Sequence, residues 1–417
     1  MNWYYYIVLF LIASQLLFLF QAYKNYRYAL QKFKKKRWYR PQTALIIPCK
    51  GLDAAFHKNI SSFFHQDYEN YLLWFIVEDE SDPAYSELCT IKDQLSKESK
   101  ALDVQVFVAG KSQSCSQKIH NQLYGYNKIG SDIDVLAFAD SDICVHKDWL
   151  SHLVYPLRKS KNGASTGYRW FVPEKNNFAS LSLSAINAKV AQLLGNTHFN
   201  QAWGGSMAIR VEVFRKAGLD KLWPKVLSDD LSLSIAVKKE GMNVAFVPAC
   251  LVASYESTTW PKLFEFARRQ FLITRVYAFG TWLFGLFSAI YSVLGLWGGA
   301  IIALLILSDY WPDSDFTSVQ KIILLSLPAV FFVSQLIRAT LRQRMISKLL
   351  EKDRKRMRIA CAADILLSWL WSLLTMFFIL SSAFGRNVCW RGIHYKLKSP
   401  SETQILYATE NTEKINL

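Results

Sequence analysis

The chain has 417 residues, enough for one large domain with accessory segments, and 51% of its residues are hydrophobic. Its net charge of +16 draws on two basic clusters that flank apolar segments, which favours a membrane surface and anionic substrates over nucleic acid. The seven cysteines and seven histidines show no pairing or ligand pattern, which argues against a zinc site or a disulfide framework.

An apolar segment opens the chain. Residues 2–20 carry no charge and are long enough to span a bilayer. No basic region precedes them and no small-residue cleavage site follows, so an uncleaved anchor over 1–23 is favoured over a signal peptide. A basic linker over 24–42 follows, and positive charge beside a span marks the cytoplasmic side. Its cations are Lys24, Arg27, Lys32, Lys34, Lys35, Lys36, Arg37 and Arg40.

Apolar strands alternate with helical segments beyond the linker. The predicted strands are 44–48, 71–77, 104–108 and 135–139, and the predicted helices include 59–65 and 87–97. This alternation is typical of an α/β fold with a doubly wound, mostly parallel sheet, which we place over 43–262. Asp79 and Asp82 follow the second strand and Asp140 follows the last one. Because ligands bind at the carboxyl ends of parallel strands, these acids are expected at one edge of the sheet.

Asp140 and Asp142 form a DxD pair. In an extended chain, residues i and i+2 point to the same side, so both carboxylates can face one ligand. No Lys or Arg stands beside them in the sequence, so they would repel each other unless a cation lies between them. Mg²⁺ and Mn²⁺ prefer oxygen ligands and bridge to phosphates, which predicts a metal–diphosphate site. A loop with two solvated aspartates is the alternative; an EF-hand does not fit Cys144, Val145 and His146.

Two further motifs follow in the second half of the predicted sheet. Gly204 and Gly205 lead into a short apolar run, and Asp229 and Asp230 open an amphipathic helix over 231–239. Acids at a helix N-terminus are stabilised by the helix dipole, which is a purely structural explanation for the pair. The alternative is that one of them is a positioned carboxylate available as a general base.

Cations lie next to apolar residues over 263–280, which predicts an interfacial helix. In such a helix Arg268 and Arg275 lie about two turns apart on one face, whereas Arg269 is rotated by roughly 100°. One anion is therefore not expected to contact all three. Binding an anion and snorkelling to lipid headgroups are compatible roles for these side chains.

The predicted membrane region, 281–385, contains three apolar segments, of which the middle one is short for a span. These segments are 281–307, 322–336 and 362–380. A basic segment over 338–358 is expected on the cytoplasmic side. Three spans after a cytoplasmic domain would leave the tail, 386–417, outside the cell. If residues 390–392 contribute to the active site, one of the three segments must be a re-entrant or surface helix.

Together, the strand-end acids, the DxD pair, the downstream Asp pair and the Arg/Gln helix between membrane segments resemble the inverting, family-2-like membrane glycosyltransferases. The ceramide glucosyltransferase branch, with its bacterial hopanoid-associated relatives, is the most similar group. The likeness covers residues 45–275, with a smaller match at 390–395. Particular matches are PCKGLD at 48–53, EDESDPA at 78–84 and KIHN at 118–121.

The resemblance implies a GT-A fold on the cytoplasmic face, with a nucleotide-sugar donor, UDP-glucose, and a lipid acceptor, ceramide. Hopanoid and diacylglycerol are alternative acceptors. Asp79 resembles the acid that contacts the nucleoside. Asp140 and Asp142 resemble the pair that places Mg²⁺ or Mn²⁺ on the diphosphate. Asp230 matches the catalytic base, and Asp229 stands where relatives often have Glu.

The resemblance also implies substrate-binding residues. Arg268, Arg269, Gln270 and Arg275 occupy the region of the QxxRW motif, which binds the leaving diphosphate. Asp82, Lys118, Gly204 and Gly205 are expected to contact substrate as well. The sequence departs from the motif, because Ile273 and Thr274 hold its Arg-Trp positions and Val276 follows Arg275.

Three rival functions follow from the same motifs. A processive polysaccharide synthase of this fold would need more spans and an intact QxxRW motif. A phosphohydrolase with Asp140 as nucleophile would usually continue with Gly and Thr or Val, whereas Ile143 and Cys144 follow here. A membrane-tethered binding module without activity would not need the acid pair and the base together.

Overall fold

The computed structural model describes residues 3–33, 38–53, 55–308 and 317–408. Lys34, Lys35, Lys36 and Arg37 of the predicted basic linker, and residues 409–417 of the predicted tail, lie outside the described residues. The strands are β1 Thr43–Pro48, β2 Tyr71–Val77, β3 Asp103–Val108, β4 Val135–Ala139, β5 Asn162–Pro173, β6 Ser206–Arg210, β7 Asn243–Glu256, β8 Asn387–Trp390, β9 Ile393–Ser399 and β10 Glu402–Ala408.

Helices cover both faces of the sheet and continue into an apolar bundle. They are α1 Trp3–Lys32, α2 Phe56–Phe64, α3 Pro83–Leu95, α4 Gln117–Tyr126, α5 Trp149–Val154, α6 Phe178–Ala191, α7 Val211–Lys216, α8 Leu219–Leu222, α9 Asp229–Lys239, α10 Trp260–Tyr277, α11 Phe279–Val293, α12 Gly299–Leu307, α13 Ser318–Leu349, α14 Arg358–Leu366 and α15 Ser368–Ser381. The four strands and two helices predicted above are present, with ends shifted by a few residues.

A seven-stranded sheet forms the centre of the molecule, in the order β3-β2-β1-β4-β6-β5-β7. Four of its six strand pairs are parallel, and the other two are antiparallel because β6 runs opposite to both β4 and β5. All five residues of β4 are buried, because helices pack on both faces of the sheet. A strand buried on both faces is nearly all apolar, as the sequence of β2 shows.

The antiparallel strand β6 places the glycine pair at the end of β4. Ala139 lies opposite Ser206 in the register, so the two residues before Ser206 lie beside Asp140. The Asp140 backbone N–H donates to the Gly205 carbonyl at 3.4 Å. Two motifs about sixty residues apart in sequence therefore meet at one sheet edge.

Among the residues that the structure describes, three helices are long and apolar enough to cross a membrane: Tyr5–Lys32, Phe279–Leu307 and Ser318–Leu349. The second consists of α11 and α12 joined by a short π-helical segment. The prediction that the middle C-terminal segment is short for a span is wrong, because α13 continues for 32 residues through its polar C-terminal part. Its apolar window alone is long enough to cross.

The last apolar segment is broken. Helices α14 and α15 meet at Leu367 with a bend of 85°, the geometry of a broken span or a re-entrant loop. Beyond them β8, β9 and β10 form a small antiparallel sheet. Arg391 in its first hairpin donates to the Lys50 carbonyl at 2.8 Å, in the loop after β1. The tail therefore lies on the same side of the apolar helices as the seven-stranded sheet.

Candidate active site

Lys118 lies between two of the predicted acids. Its ammonium is 2.6 Å from Asp140 Oδ1 and 3.0 Å from Asp229 Oδ2. Burial alone would lower the pKa of Lys118, but the two carboxylates hold it above its ordinary value. Burial likewise disfavours ionised Asp140, yet the Lys118 charge keeps the pKa of Asp140 below its usual range. Both groups are therefore charged at neutral pH.

The expectation that Asp140 has no compensating cation is wrong. No cation lies next to Asp140 along the chain, but Lys118, in the first turn of α4, contacts it in the folded protein. One Asp140 oxygen is occupied by this lysine. The remaining candidate metal ligands are therefore the second Asp140 oxygen and the Asp142 carboxylate.

Asp229 is the buried member of the downstream pair, with 4% of its surface exposed. It accepts a hydrogen bond from Gln122 Nε2 at 3.0 Å in addition to the Lys118 ion pair. A Cβ atom on Gly204 would lie 2.6 Å from an Asp229 oxygen and 2.7 Å from the Lys118 ammonium. Only glycine fits against this ion pair, which explains the first residue of the glycine motif.

Asp230 is only partly buried and lies at the N-terminus of α9. Its Oδ1 accepts from the Ser228 hydroxyl and the Leu231 N–H, and its Oδ2 accepts from the Gly204 N–H at 3.2 Å. Burial first, and the Asp229 charge second, raise the pKa of Asp230. The helix terminus thus stabilises the carboxylate while its neighbours make it more basic.

Asp142 has a different environment from Asp140. Its side chain is exposed to solvent, although many protein atoms surround it. This crowding and the Asp140 charge raise the pKa of Asp142, whereas Arg169 and Arg391 act in the opposite direction. Within the described part of the chain its carboxylate has no hydrogen-bond or ion-pair partner, so it is available to a ligand.

Two arginines that act on the acids were absent from the predicted site residues. Arg169 in β5 lies against the rings of Trp203 and Phe266, 5.6 Å from each centroid. Arg391 occupies the first position of a two-residue hairpin turn, with a positive φ of 47°. Their charges help to lower the pKa of Asp140. A cation between aromatic residues in a strand was the available signal for Arg169.

The structure also adds a carboxylate that the sequence did not indicate. Glu256 ends β7, and burial raises its pKa to about 7, with Asp142 contributing in the same direction and Arg169 opposing it. The parallel pairing of β5 with β7 places Glu256 opposite Pro173, beyond the Arg169 position. Its only sequence signal was its place at a strand end.

Asp79 and Asp82 lie at the end of β2, which is separated from β4 by β1. Asp79 is exposed and accepts from the Ser81 N–H, which lowers its pKa. Asp82 caps α3 and also accepts from the Gly51 N–H. Asp79 is therefore free to meet a ligand at this edge, whereas the carboxylate of Asp82 is engaged in shaping the loop.

Arg268 and Arg275 do not point toward the acids. They share one face of α10, as predicted, but their guanidinium groups bind backbone carbonyls after α15. Arg268 donates to Ser381 and Phe384, and Arg275 donates to Ala383 and Gly385. Cations stabilise the carbonyls at a helix C-terminus, so these two arginines join α10 to the bent helix pair.

Arg269 and Gln270 lie elsewhere on α10. Arg269 donates to the Cys389 carbonyl at 3.3 Å, on the side where Arg169 and Arg391 lie. Burial, with smaller contributions from those two arginines, lowers the pKa of Arg269. Gln270 is exposed. Among the four residues of the predicted diphosphate motif, Arg269 is the one whose surroundings connect it to the acids.

A family model described as glycosyl transferase family 21 matches residues 6–403, nearly the whole chain. The chain belongs to glycosyl transferase family 21. This membership confirms the predicted glycosyltransferase class. The seven-stranded sheet confirms the predicted mostly parallel α/β fold. Among solved structures, a mannosyltransferase from Pyrobaculum calidifontis in complex with GDP-Man and Mn²⁺ is similar over 91% of this chain and 97% of that one, at 12% identity and a TM-score of 0.43.

The donor atoms of this family 21 enzyme fit a divalent cation that is only partly coordinated by protein. Among the described residues no three His, Cys, Asp or Glu side chains gather into a complete cage. Asp142 and the second Asp140 oxygen offer hard oxygen ligands, and both side chains are at least partly exposed to solvent. Mg²⁺ and Mn²⁺ in nucleotide enzymes commonly take one or two carboxylates and complete their shell with phosphate oxygens and water.

Proposed function

We propose that this family 21 enzyme transfers glucose from UDP-glucose to the hydroxyl of a ceramide-like membrane lipid, with inversion at the sugar carbon. The observation that carries the proposal is the position of Asp230. Its carboxylate is partly exposed and bound to the Gly204 N–H, and the same glycine packs against the Asp229–Lys118–Asp140 group. The proposed base therefore lies beside the proposed metal ligand Asp140, with Gly204 between them.

Asp230 is the proposed general base. The attacking lipid hydroxyl must lose a proton as it bonds to the sugar carbon, and a carboxylate with a raised pKa accepts it more readily. Hydrogen bonds from Gly204 and Leu231 fix the orientation of the carboxylate. One attack assisted by one base inverts the configuration of the sugar carbon.

The second requirement of the reaction is that the negative charge on the departing diphosphate be stabilised. Asp140 and Asp142 would hold Mg²⁺ or Mn²⁺, which when bound neutralises phosphate charge. Lys118, Arg169 and Arg391 add positive charge around the same cleft. Asp79, at the neighbouring strand end, is proposed to contact the nucleoside.

The apolar helices supply contact with the acceptor lipid. If Tyr5–Lys32, Phe279–Leu307 and Ser318–Leu349 cross the membrane and the bent pair is re-entrant, the sheet and the tail lie on one face. Exposed cations follow α13 on that face, and such charge favours the cytoplasmic side. These cations are Lys352, Arg354, Lys355, Arg356 and Arg358.

A donor-by-acceptor panel tests the proposal. Detergent-solubilised protein is incubated with labelled UDP-glucose, UDP-galactose, UDP-N-acetylglucosamine or GDP-mannose, each with ceramide, diacylglycerol or a hopanoid. Mass spectrometry identifies the product, with Mn²⁺, Mg²⁺ or EDTA present. Glucosylceramide that requires a divalent ion supports the proposal. Another donor or acceptor as the sole substrate, or undiminished turnover in EDTA, contradicts the corresponding part, and a ladder of polymer lengths indicates the processive alternative.

A further inference from the structure

A cluster of polar side chains lies where the catalytic domain meets the apolar helices. We call it the polar junction and define it as Lys189 of α6, Gln335, Arg338 and Arg342 of α13, Asp364 of α14, and Ser372 of α15. None of these residues belongs to the acid cleft described above.

The single carboxylate of the polar junction is fully engaged. Asp364 is 1% exposed and accepts two hydrogen bonds from the Arg342 guanidinium, at 2.7 and 2.5 Å. Gln343 Nε2 adds a third at 2.7 Å. A bidentate arginine and an amide saturate this carboxylate, so it is not available to the other cations.

Two cations remain without a carboxylate. Within the described ranges, Lys189 donates only to the Ser372 hydroxyl, at 3.1 Å. Burial, followed by the Arg342 and Arg338 charges, lowers the pKa of Lys189 to about 7. Arg338 has no hydrogen-bond partner for its Nε among the described residues. Both side chains are partly exposed, so a ligand can reach them. The polar junction therefore carries three cations against one carboxylate.

Further polar atoms are unsatisfied around these cations. A hydrogen-bond chain runs from Gln335 through Ser292 and Ser372 to Lys189, joining four helices. Gln335 Oε1 is buried without a partner in the described structure, as is the Ser368 hydroxyl one turn before Ser372. Gln335 is 7% exposed and Ser368 is 4% exposed. Buried polar groups are normally paired, so these orphans indicate a missing polar occupant.

The elements of the polar junction also present apolar surface. Val190 and Leu193 extend from the end of α6, and Ile337 and Leu366 flank the charged positions of α13 and α14; all four are exposed. A polar, positively charged surface bordered by exposed apolar side chains suits the interface between lipid headgroups and acyl chains.

We propose that the polar junction binds the phosphate of an anionic membrane phospholipid, with Lys189 and Arg338 as its principal ligands. An anionic phosphate favours the protonated form of Lys189, and with Lys189 protonated the polar junction has two positive charges in excess, which favours a headgroup with net negative charge over a zwitterionic one. Such a lipid would join the catalytic domain to α13 and the bent helix pair. The site does not depend on which sugar or acceptor the enzyme uses.

Native mass spectrometry tests this site. Purified full-length protein is delipidated in detergent and offered equal amounts of phosphatidylglycerol and phosphatidylcholine of the same chain length. The expected result is one retained phosphatidylglycerol, preferred by at least about tenfold. Absence of that preference in the wild-type protein overturns the proposal without any variant.

Variants locate the site. Arg338→Gln and Lys189→Gln are each expected to lower phosphatidylglycerol retention by about tenfold or more, and Arg338→Lys to restore most of it. Arg344→Gln removes an exposed cation from the same helix and should leave retention unchanged. Equal losses in Arg344→Gln and Arg338→Gln would show general surface attraction and overturn the proposal. A separate arm with inorganic phosphate distinguishes the ion from the lipid, because binding of phosphate with no retained lipid contradicts a lipid site.

Discussion

At the scale of single residues, the centre of the site is an arrangement of opposite charges rather than a bare acid pair. Lys118 pairs with one oxygen of Asp140 and one of Asp229, and this leaves Asp142, Asp230 and the second Asp140 oxygen for a ligand. The two aspartates differ in burial. Asp229 is buried and its carboxylate is paired with Lys118, whereas Asp230 is partly exposed and its pKa is raised.

Asp230→Asn is expected to lower the transfer rate by about 10³-fold or more, because the amide cannot accept the proton of the attacking hydroxyl. Donor affinity should change little, since the Lys118 ion pairs remain. Turnover of labelled donor and calorimetric donor binding measure the two effects. Asp93→Asn, an exposed change on α3, is the matched control. Turnover within tenfold of wild type, or loss of donor binding, would refute the role of Asp230.

The pH dependence of turnover has a definite sign. The base must be ionised, so the rate falls as the pH drops through the pKa of Asp230. Because the Asp229 charge helps to raise that pKa, Asp229→Asn should move the acidic limb of the profile to lower pH. Turnover at saturating substrate across a pH series measures the limb. A limb that stays in place or moves upward would show that another group controls it.

At the scale of secondary-structure elements, strands and helices were predictable, but their register was not. Near-continuous apolar runs such as β2 and β4 identify buried strands because both faces are covered. The antiparallel entry of β6 places Gly204 beside Asp140, and this depends on long-range pairing. For the same reason, the sequence does not predict that Lys118, Arg169 and Glu256 lie near the acids, because they belong to elements distant in sequence.

We expect Arg275 of α10 to have a structural role and Arg391 of the β8–β9 turn to act at the site, and variants should separate these roles. Arg275→Gln removes hydrogen bonds to the Ala383 and Gly385 carbonyls, so it should lower the unfolding temperature while donor affinity in the folded fraction is retained. Arg391→Gln should weaken donor binding by about tenfold or more. The variant removes a positive charge near Asp140, where the donor diphosphate is expected to bind. Thermal unfolding and donor titration distinguish the two. The reverse pattern would return the diphosphate role to Arg275.

At the scale of the whole molecule, the bent helix pair is our candidate for the segment that does not cross the membrane. The sequence requires such a segment if the tail contributes to the active site, but it does not identify the segment, because hydropathy does not record an 85° bend. The contact of Arg391 with Lys50 fixes the tail beside the sheet. The domain boundaries predicted from the sequence stay predictions.

The arrangement predicts the side of the membrane on which each segment is labelled. In a cysteine-free background, Lys352→Cys and Ser401→Cys should react with an impermeant reagent only from the side that carries the sheet. Val319→Cys, at the other end of α13, should react only from the opposite side; all three positions are exposed. Right-side-out and inverted vesicles provide the two sides. Labelling of Ser401→Cys together with Val319→Cys would mean that the bent pair crosses.

The central claim is that acids from distant parts of the chain act together in one inverting transfer to a lipid. The most direct measurement is the anomeric configuration of the glycolipid made by the purified enzyme, determined by nuclear magnetic resonance. A lipid product whose sugar linkage is opposite to that of the nucleotide-sugar donor is the predicted result. Retention of the donor configuration would contradict a single displacement with Asp230 as base.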